Sequence, residues 1–388
     1  MNPIGPLVAA DEQFCHQITD TFGVVGSSDL AWTEKVCAMA VARDGSLQLG
    51  FGLGKYPNRD VMDAYAGISR GVEQVTVRAS RRLSPAFEDT TIGPIHYEVL
   101  EPLRSVRFRL APNGEQPISF DWTFTAALPC ALEERTHQRN VVGTRVSAEL
   151  VRYHQIGTAS GWVEIDGQRT AIDDGTWVST RDHSWGVRYE VGRPLDDVER
   201  VDPLDGLSFS MIWSPILCER TDGSRYGIFL HTVQVDGFGS NLHKVVTGAI
   251  EHEDGTAEPI LDIDLSGLSF DPANRRLLGG EIHLRMADGS DRPLRVDVPT
   301  PTGFHLGAGL YFGYRGHYHG EFRGPLHLES ERIADCSAPE RARELHQIRD
   351  TFVVVDDPVG GGTGYGNCQP IVTGPSERFG LAAEDSFW

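Results

Sequence analysis

Apolar and polar residues alternate along much of the chain. Ile118, Phe120, Trp122, Phe124 and Ala126 are apolar, with Ser119, Asp121, Thr123 and Thr125 between them. Period two with one apolar face predicts a half-buried strand. Val75, Val77 and Ala79 repeat it, as do Val106, Phe108 and Leu110, then Ile282, Leu284 and Met286, then Leu326 and Leu328. Each run is short and polar on its second face, which predicts antiparallel sheet. The punctuation agrees. Asp-Gly occurs eight times, at 44–45, 166–167, 174–175, 205–206, 222–223, 236–237, 254–255 and 288–289, and Asn113-Gly114 adds another turn signal. Asp, Asn and Gly tolerate the positive φ of primed hairpin turns. Helical patterns are few. Ser337-Ala-Pro-Glu340 reads as a capping box opening a helix that runs on to Arg349, and Ala10 to Asp20 is a weaker candidate. That leaves too few crossovers for a parallel α/β fold.

The expected class is therefore all-β, with few short helices. Strand patterns cluster in two blocks, which predicts an N-terminal extension (1–29), a first β domain (30–190), a second β domain (191–355) and a Gly-rich closing segment (356–388). Gly192 to Pro203 reads as the join. Two antiparallel barrels, or strongly curved sheets, are the simplest architecture. Gly50-Phe-Gly-Leu-Gly54 and Gly360 to Gly366 lack the strand-to-helix context of a nucleotide loop.

Composition narrows the partners. The 388 residues are 40% hydrophobic and 23% charged, an ordinary globular balance. Acidic residues outnumber basic ones 55 to 35, for a net charge of -20. Such a field repels phosphate backbones, so neither nucleic acid nor an anionic membrane surface is expected as a partner. No apolar run reaches the ~18 residues of a membrane span, so no integral membrane segment is expected. Met1 to Ala10 carries no Lys or Arg and does not read as a secretion signal. Six scattered cysteines without a Cys-x-x-Cys pair read as free thiols, which makes the cytoplasm the expected compartment. Nothing in the pattern specifies an oligomer.

The densest unusual string is Trp177-Val-Ser-Thr-Arg-Asp-His-Ser-Trp-Gly-Val-Arg188. On an extended strand His183 and Trp185 share one face, and Asp182 and Ser184 the other. A His beside an indole suits a proton donor next to a developing cation, which the ring face stabilises. The alternative is architectural: Asp182 and Arg188 tie down a turn while Trp185 fills the core.

Arg181 to Arg188 resembles the signature of the hydroxyneurosporene synthase (carotenoid 1,2-hydratase) and AttH-like superfamily. So do Gly161-Trp-Val-Glu-Ile-Asp-Gly167, Tyr314-Arg-Gly-His317 and Gly364-Tyr-Gly366. Calycin-fold Diels–Alderases and prenyl-group hydratases are related. The resemblance implies two lipocalin-like (calycin) barrels packed together, and hydration, cyclisation or isomerisation of hydrophobic, often terpenoid, substrates without a cofactor. The family's His-x-Trp pair falls on His183 and Trp185. Its Tyr-x-Asp pair would fall in Leu207 to Trp213, which has neither residue in place.

A second cluster is Tyr311-Phe-Gly-Tyr-Arg-Gly-His-Tyr-His-Gly-Glu-Phe-Arg-Gly324. On a strand, His317, His319 and Glu321 would share a face and could bind Zn or Fe, while Tyr314 and Tyr318 would line a wall for a flat apolar ligand. The metal site is expected to be empty. His231 lies in an apolar strand, and Glu133-Glu134-Arg135 reads as a solvated turn.

The leading expectation is a cofactor-independent lyase, isomerase or cyclase of hydratase type, acting on a hydrophobic, terpenoid or prenylated alkene. Its pocket would be lined by aromatic residues and nearly free of charge. Catalysis would fall to His183, Asp182 and Trp185. Trp177, Arg188, His231, Tyr314, His317, Tyr318 and His319 would contact the substrate. A non-catalytic carrier of lipid or terpenoid, and a metal enzyme built on His317, His319 and Glu321, are the alternatives.

Overall fold

The computed structural model describes residues 6–14, 16, 21, 24–140, 143–198, 207–237, 240–345 and 348–383. Strand makes up 60% of it and helix 5%, so hairpins connect the strands. Two barrel-shaped antiparallel sheets pack together. In the first, β1 (Trp32–Ala42), β2 (Gln48–Tyr56), β3 (Val61–Arg70) and β4 (Glu73–Arg82) follow one another as hairpins. On its other side β1 pairs with the Trp177–Val187 strand, which pairs in turn with the long Val146–Ile165 strand. Leu326–Ile333, from far along the chain, pairs with β4 and completes that side. The second sheet runs from Ser208–Arg220 through Asp291–Asp297, and takes Gly362–Thr373 beside Ser208–Arg220. It closes through pairing of Asp291–Asp297 with Arg349–Asp357.

The alternation read from the sequence sorts inside from outside. Phe108, Phe120, Trp122 and Phe124 fill the first barrel, and Ile282, Leu284 and Met286 the second. Asp121 faces outward and holds Arg107 at 2.6 Å. Between the sheets Met39, Val41, Ile156 and Val178 meet Leu217 and Phe352.

Four Asp-Gly-Ser/Thr turns share one device. Gly45, Gly223, Gly255 and Gly289 lie at φ 73 to 85°, each donating to the carbonyl three residues back. The preceding aspartate accepts from the Ser or Thr amide at 2.8–2.9 Å. This is a type I turn closed by a left-handed glycine, not the primed turn expected from the dipeptide; among the described residues only the Asp166-Gly167 pair has both residues at positive φ. Asp205-Gly206 lies outside the described residues.

The helix expectations need correction. Pro339–Glu344 is helical, but its cap is Ala338, which makes no side-chain bond, while Ser337 turns to Asp335 at 2.5 Å. The chain is a strand again by Arg349. Of Ala10 to Asp20, only a 3-10 turn at Ala9–Glu12 forms among the described residues; Cys15 and 17–20 lie outside them.

Gly50, Gly52 and Gly54 find their reason here. A Cβ on them would stand 2.6 Å from Phe304, 2.3 Å from Tyr65 and 2.8 Å from Tyr56. The bare strip lets these rings lie flat on the sheet, where the segment after Phe304 docks.

Candidate active site at the mouth of the first barrel

Register assembles the site. Glu34 on β1 stands opposite Lys55 on β2 and Trp185 on the other neighbour. One rung further along, Val36 stands opposite His183, and His183 opposite Tyr153. Side chains on adjacent rungs of one face lie within contact distance. Glu34 follows the parity of Val36, Ala38 and Ala40, all core residues, so it points into the barrel. Val8 to Phe14, and His16 beyond them, lie at the barrel mouth, Glu12 bonded to Arg181 and His16 to Glu34.

Glu34 is the centre. Its Oε1 lies 2.6 Å from His16 Nδ1 and 3.0 Å from His183 Nε2. The far nitrogen of His183 meets Tyr153 Oη at 3.1 Å, and that of His16 meets Asp11 at 3.1 Å. The His16 ring stacks on Trp185 with centroids 3.5 Å apart. Burial alone would raise Glu34, but the hydrogen bonds and charges of both histidines hold it below the usual carboxylate range. Burial likewise opposes protonation of His16, yet Glu34 and then Asp11 hold it above its ordinary value. The pair is an imidazolium and a carboxylate.

Glu12 fixes the segment from Val8 to Phe14. It is fully buried and takes both Arg181 donors at 2.7 Å, Tyr153 at 2.8 Å, Tyr97 at 3.1 Å and the Leu103 amide at 2.7 Å. Beside it opens a cavity of about 990 Å³ whose wall includes Phe14, His16, Trp32, Glu34, Lys55, Leu83, Phe87 and Tyr97. Glu88, Asp89 and Glu98 also line it, so the expected freedom from charge does not hold. Lys55 donates to the Phe87 carbonyl, and its Nζ lies 4.9 Å from the Phe14 ring centroid.

The expected site residues separate. His183 and Trp185 share the barrel face as alternation required, and His183 reaches the cavity through Glu34. Asp182 lies on the opposite face, toward the second sheet. Burial pushes its carboxyl up, against Arg152 and Arg188. Arg188, expected to brace Asp182, donates to Ser184 Oγ instead. Trp177 is barrel core. His231 faces the inter-sheet side, where burial and the charge of Arg152 push it down to about 4. None of Asp182, Trp177, Arg188, His231, Tyr314, His317, Tyr318 or His319 lines the 990 Å³ cavity.

The expected strand at Tyr311 to Gly324 is a chain of turns, because Phe312, Gly313, Arg315, Gly316 and Gly320 take positive φ. Strand alternation therefore does not apply. His317 meets Glu321 at 3.0 Å, while His319 turns inward to Lys35 at 2.9 Å. Tyr314 is core and donates to Glu331, and the Tyr318 ring covers Gly313. The three prospective metal ligands do not converge. Among the described residues, the only His, Cys, Asp or Glu group of three or more with converging ligand atoms is His16, Glu34 and His183, within 4.8 Å of one another. Both imidazoles there are already bonded at their second nitrogens.

Sequence reasoning missed His16, Glu12, Lys55 and Glu34. The last had a signal: a carboxylate at the apolar parity of Trp32, Val36 and Ala38. It also misjudged Glu133, which is buried and takes Arg152 at 2.7 Å, Trp213 at 2.9 Å and His154 at 3.2 Å.

The family model that matches covers residues 7–382. The chain belongs to DUF8625, a family of unknown function. No curated protein matches the chain in sequence. Among solved structures, one described provisionally as AttH from Nitrosomonas europaea is 11% identical with a TM-score of 0.50, over 88% of this chain and 92% of its own. Kievitone hydratase from Nectria haematococca is 11% identical with a TM-score of 0.40, over 90% and 92%. A CghA structure with Sch210972 is 12% identical with a TM-score of 0.45, over 88% of each chain. What the chain shares with the AttH structure is the fold. Among the described residues, no helix is long and apolar enough to cross a membrane.

Proposed function

We propose that the protein is a lyase, isomerase or cyclase of hydratase type that needs no cofactor and acts on a hydrophobic alkene-bearing substrate in the barrel-mouth cavity. One observation carries the reading: an ionised Glu34 on the cavity wall, bonded on one side to His16 and on the other to His183. Glu34 is the base, accepting a proton from substrate carbon or from an attacking water. His16, held protonated and also on the wall, is the acid. His183 and Tyr153 position Glu34 from behind. The faces of Phe14, Trp32 and Tyr97 suit the apolar body of the substrate and any positive charge that develops on it. A volume of about 990 Å³ accommodates a drug-sized ligand.

The test is a panel of neutral hydrophobic alkenes and enones incubated with the full chain, with products separated by chromatography and mass. Conversion of at least one member is expected, and it should be lost when Val99, which also lines the cavity, is changed by Val99→Trp to fill it. Binding without conversion would replace the enzyme with a carrier. Conversion untouched by Val99→Trp would move the reaction elsewhere.

A further inference from the structure

The chain holds 32 arginines and only three lysines: Lys35, Lys55 and Lys244. Two of the three are buried, Lys35 at 2% exposure and Lys55 at 4%. Charge alone would be served by arginine, as it is elsewhere in this chain. Lysine differs in that it can lose its proton and act as a nucleophile, which arginine cannot. Lys35 has no access to substrate: its Nζ is capped by His319 Nε2 at 2.9 Å and the Tyr311 ring at 3.9 Å. Lys55 does, because it lines the barrel-mouth cavity directly across the strand pair from Glu34.

We propose that Lys55 is an amine nucleophile that forms an imine with a hydrophobic aldehyde or ketone held in this cavity. The proposal rests on the site assigned above and names its substrate class, a carbonyl compound with an apolar body.

The surroundings fit. Among the described residues no carboxylate lies within ion-pair distance of Lys55 to lock it as an ammonium. Its one hydrogen-bond acceptor is the Phe87 carbonyl, which leaves the lone pair of the neutral amine free. Burial lowers its pKa to about 8, outweighing Glu34, Asp89 and Glu88, whose charges favour the ammonium. At neutral pH that leaves ~10²-fold more free amine than an ordinary lysine has.

The step balances without an oxidant or reductant. The Nζ lone pair forms a C–N bond to the carbonyl carbon, and the carbonyl oxygen takes the proton that the nitrogen gives up. The carbinolamine then loses that oxygen as water, with a second proton from His16, leaving a protonated imine. In an α,β-unsaturated substrate the imine draws electrons from the conjugated C=C. Water then adds at the β-carbon with Glu34 taking its proton, and the protonated Glu34 returns it to the α-carbon, which restores the C=N bond; in a saturated one Glu34 removes the α-proton to give an enamine, and reprotonation at carbon restores the C=N bond. Hydrolysis of the C=N bond releases the product and restores Lys55. Hydration, isomerisation and ring closure all start from these species.

The probe is cinnamaldehyde with sodium cyanoborohydride, applied to the full chain and followed by intact mass and peptide mapping. Reductive trapping at Lys55 should exceed that at the more exposed Lys244 by ~10-fold or more, because the cavity holds the aldehyde against Lys55, and Lys35 should stay unlabelled. Lys55→Arg should abolish the preferred adduct. Labelling of Lys55 no faster than Lys244 overturns the proposal, and the wild-type peptide map decides this without any variant. Two further outcomes separate it from the acid–base reading. If Lys55 stays unreactive while Glu34→Gln loses turnover, the amine falls and the acid–base site stands. If Lys55 reacts while Glu34→Gln keeps turnover, the amine stands and the role given to Glu34 falls.

Discussion

Glu34 links both histidines of the site, and the pH behaviour of the region follows from it. His16 has a raised value in the folded protein. Its stabilisation is therefore complete below about 6.5, the unfolded value, and is lost as pH rises through the folded one. Glu34 is depressed, so its contribution is present above about 4.5 and is lost as pH falls through the folded value. The His16–Glu34 pair is strongest between these limits. His16→Phe should cost roughly 1–3 kcal/mol near pH 6, the range for a hydrogen bond between charged groups. Urea unfolding across pH should show that difference shrinking toward pH 9; a difference independent of pH would contradict the ionised pair. Glu34 was legible in principle, since a carboxylate stands at an apolar parity. His16 was not, because nothing local links a residue before the first strand to one 149 positions or more beyond Glu34.

At the scale of elements, the segment Val8 to Phe14 behaves as a strap pinned by Glu12. Removing one partner of a buried ion pair leaves the other charge uncompensated, at a cost of about 3–5 kcal/mol. Glu12→Gln should lower the unfolding free energy by that order, and Glu12→Met with Arg181→Met should recover much of it. Equal losses in both variants would show that the carboxylate does not hold the strap through Arg181. The turns teach a related lesson. Asp-Gly located turns without fixing their type: in four of them the aspartate accepts from the following Ser or Thr amide, while at Asp174-Gly175-Thr176 the Gly175 amide donates to Asp173 instead. The Tyr311 to Gly324 stretch misled because four glycines in fourteen residues belong to turns, and period-two logic fails there.

At the scale of the molecule, two barrels read from alternation meet through groups that alternation cannot place. His154, from the first sheet, bonds Glu251 of the second at 2.8 Å. Against burial, Glu251 and Glu133 raise His154 to about 9. Its contribution is thus complete below about 6.5 and lost as pH climbs through about 9. His154→Gln should therefore erase part of the alkaline loss of stability; an unchanged pH profile would show the contact to be incidental. Gly52→Ala, whose Cβ would meet the Tyr65 ring, should cost about 1–3 kcal/mol by overpacking. Circular dichroism should show helix far below the globular third.

The central claim is that chemistry occurs on the barrel face of the Trp177–Val187 strand, through Glu34, and not on the opposite face that carries Asp182. Turnover of whichever panel substrate the wild type converts, compared between Glu34→Gln and Asp182→Asn at matched folded concentration, tests it most directly. The account predicts that Glu34→Gln loses roughly 10²–10⁴ in rate, the scale of general acid–base catalysis, while Asp182→Asn stays near wild type. The reverse ranking would contradict it and place the site between the two sheets.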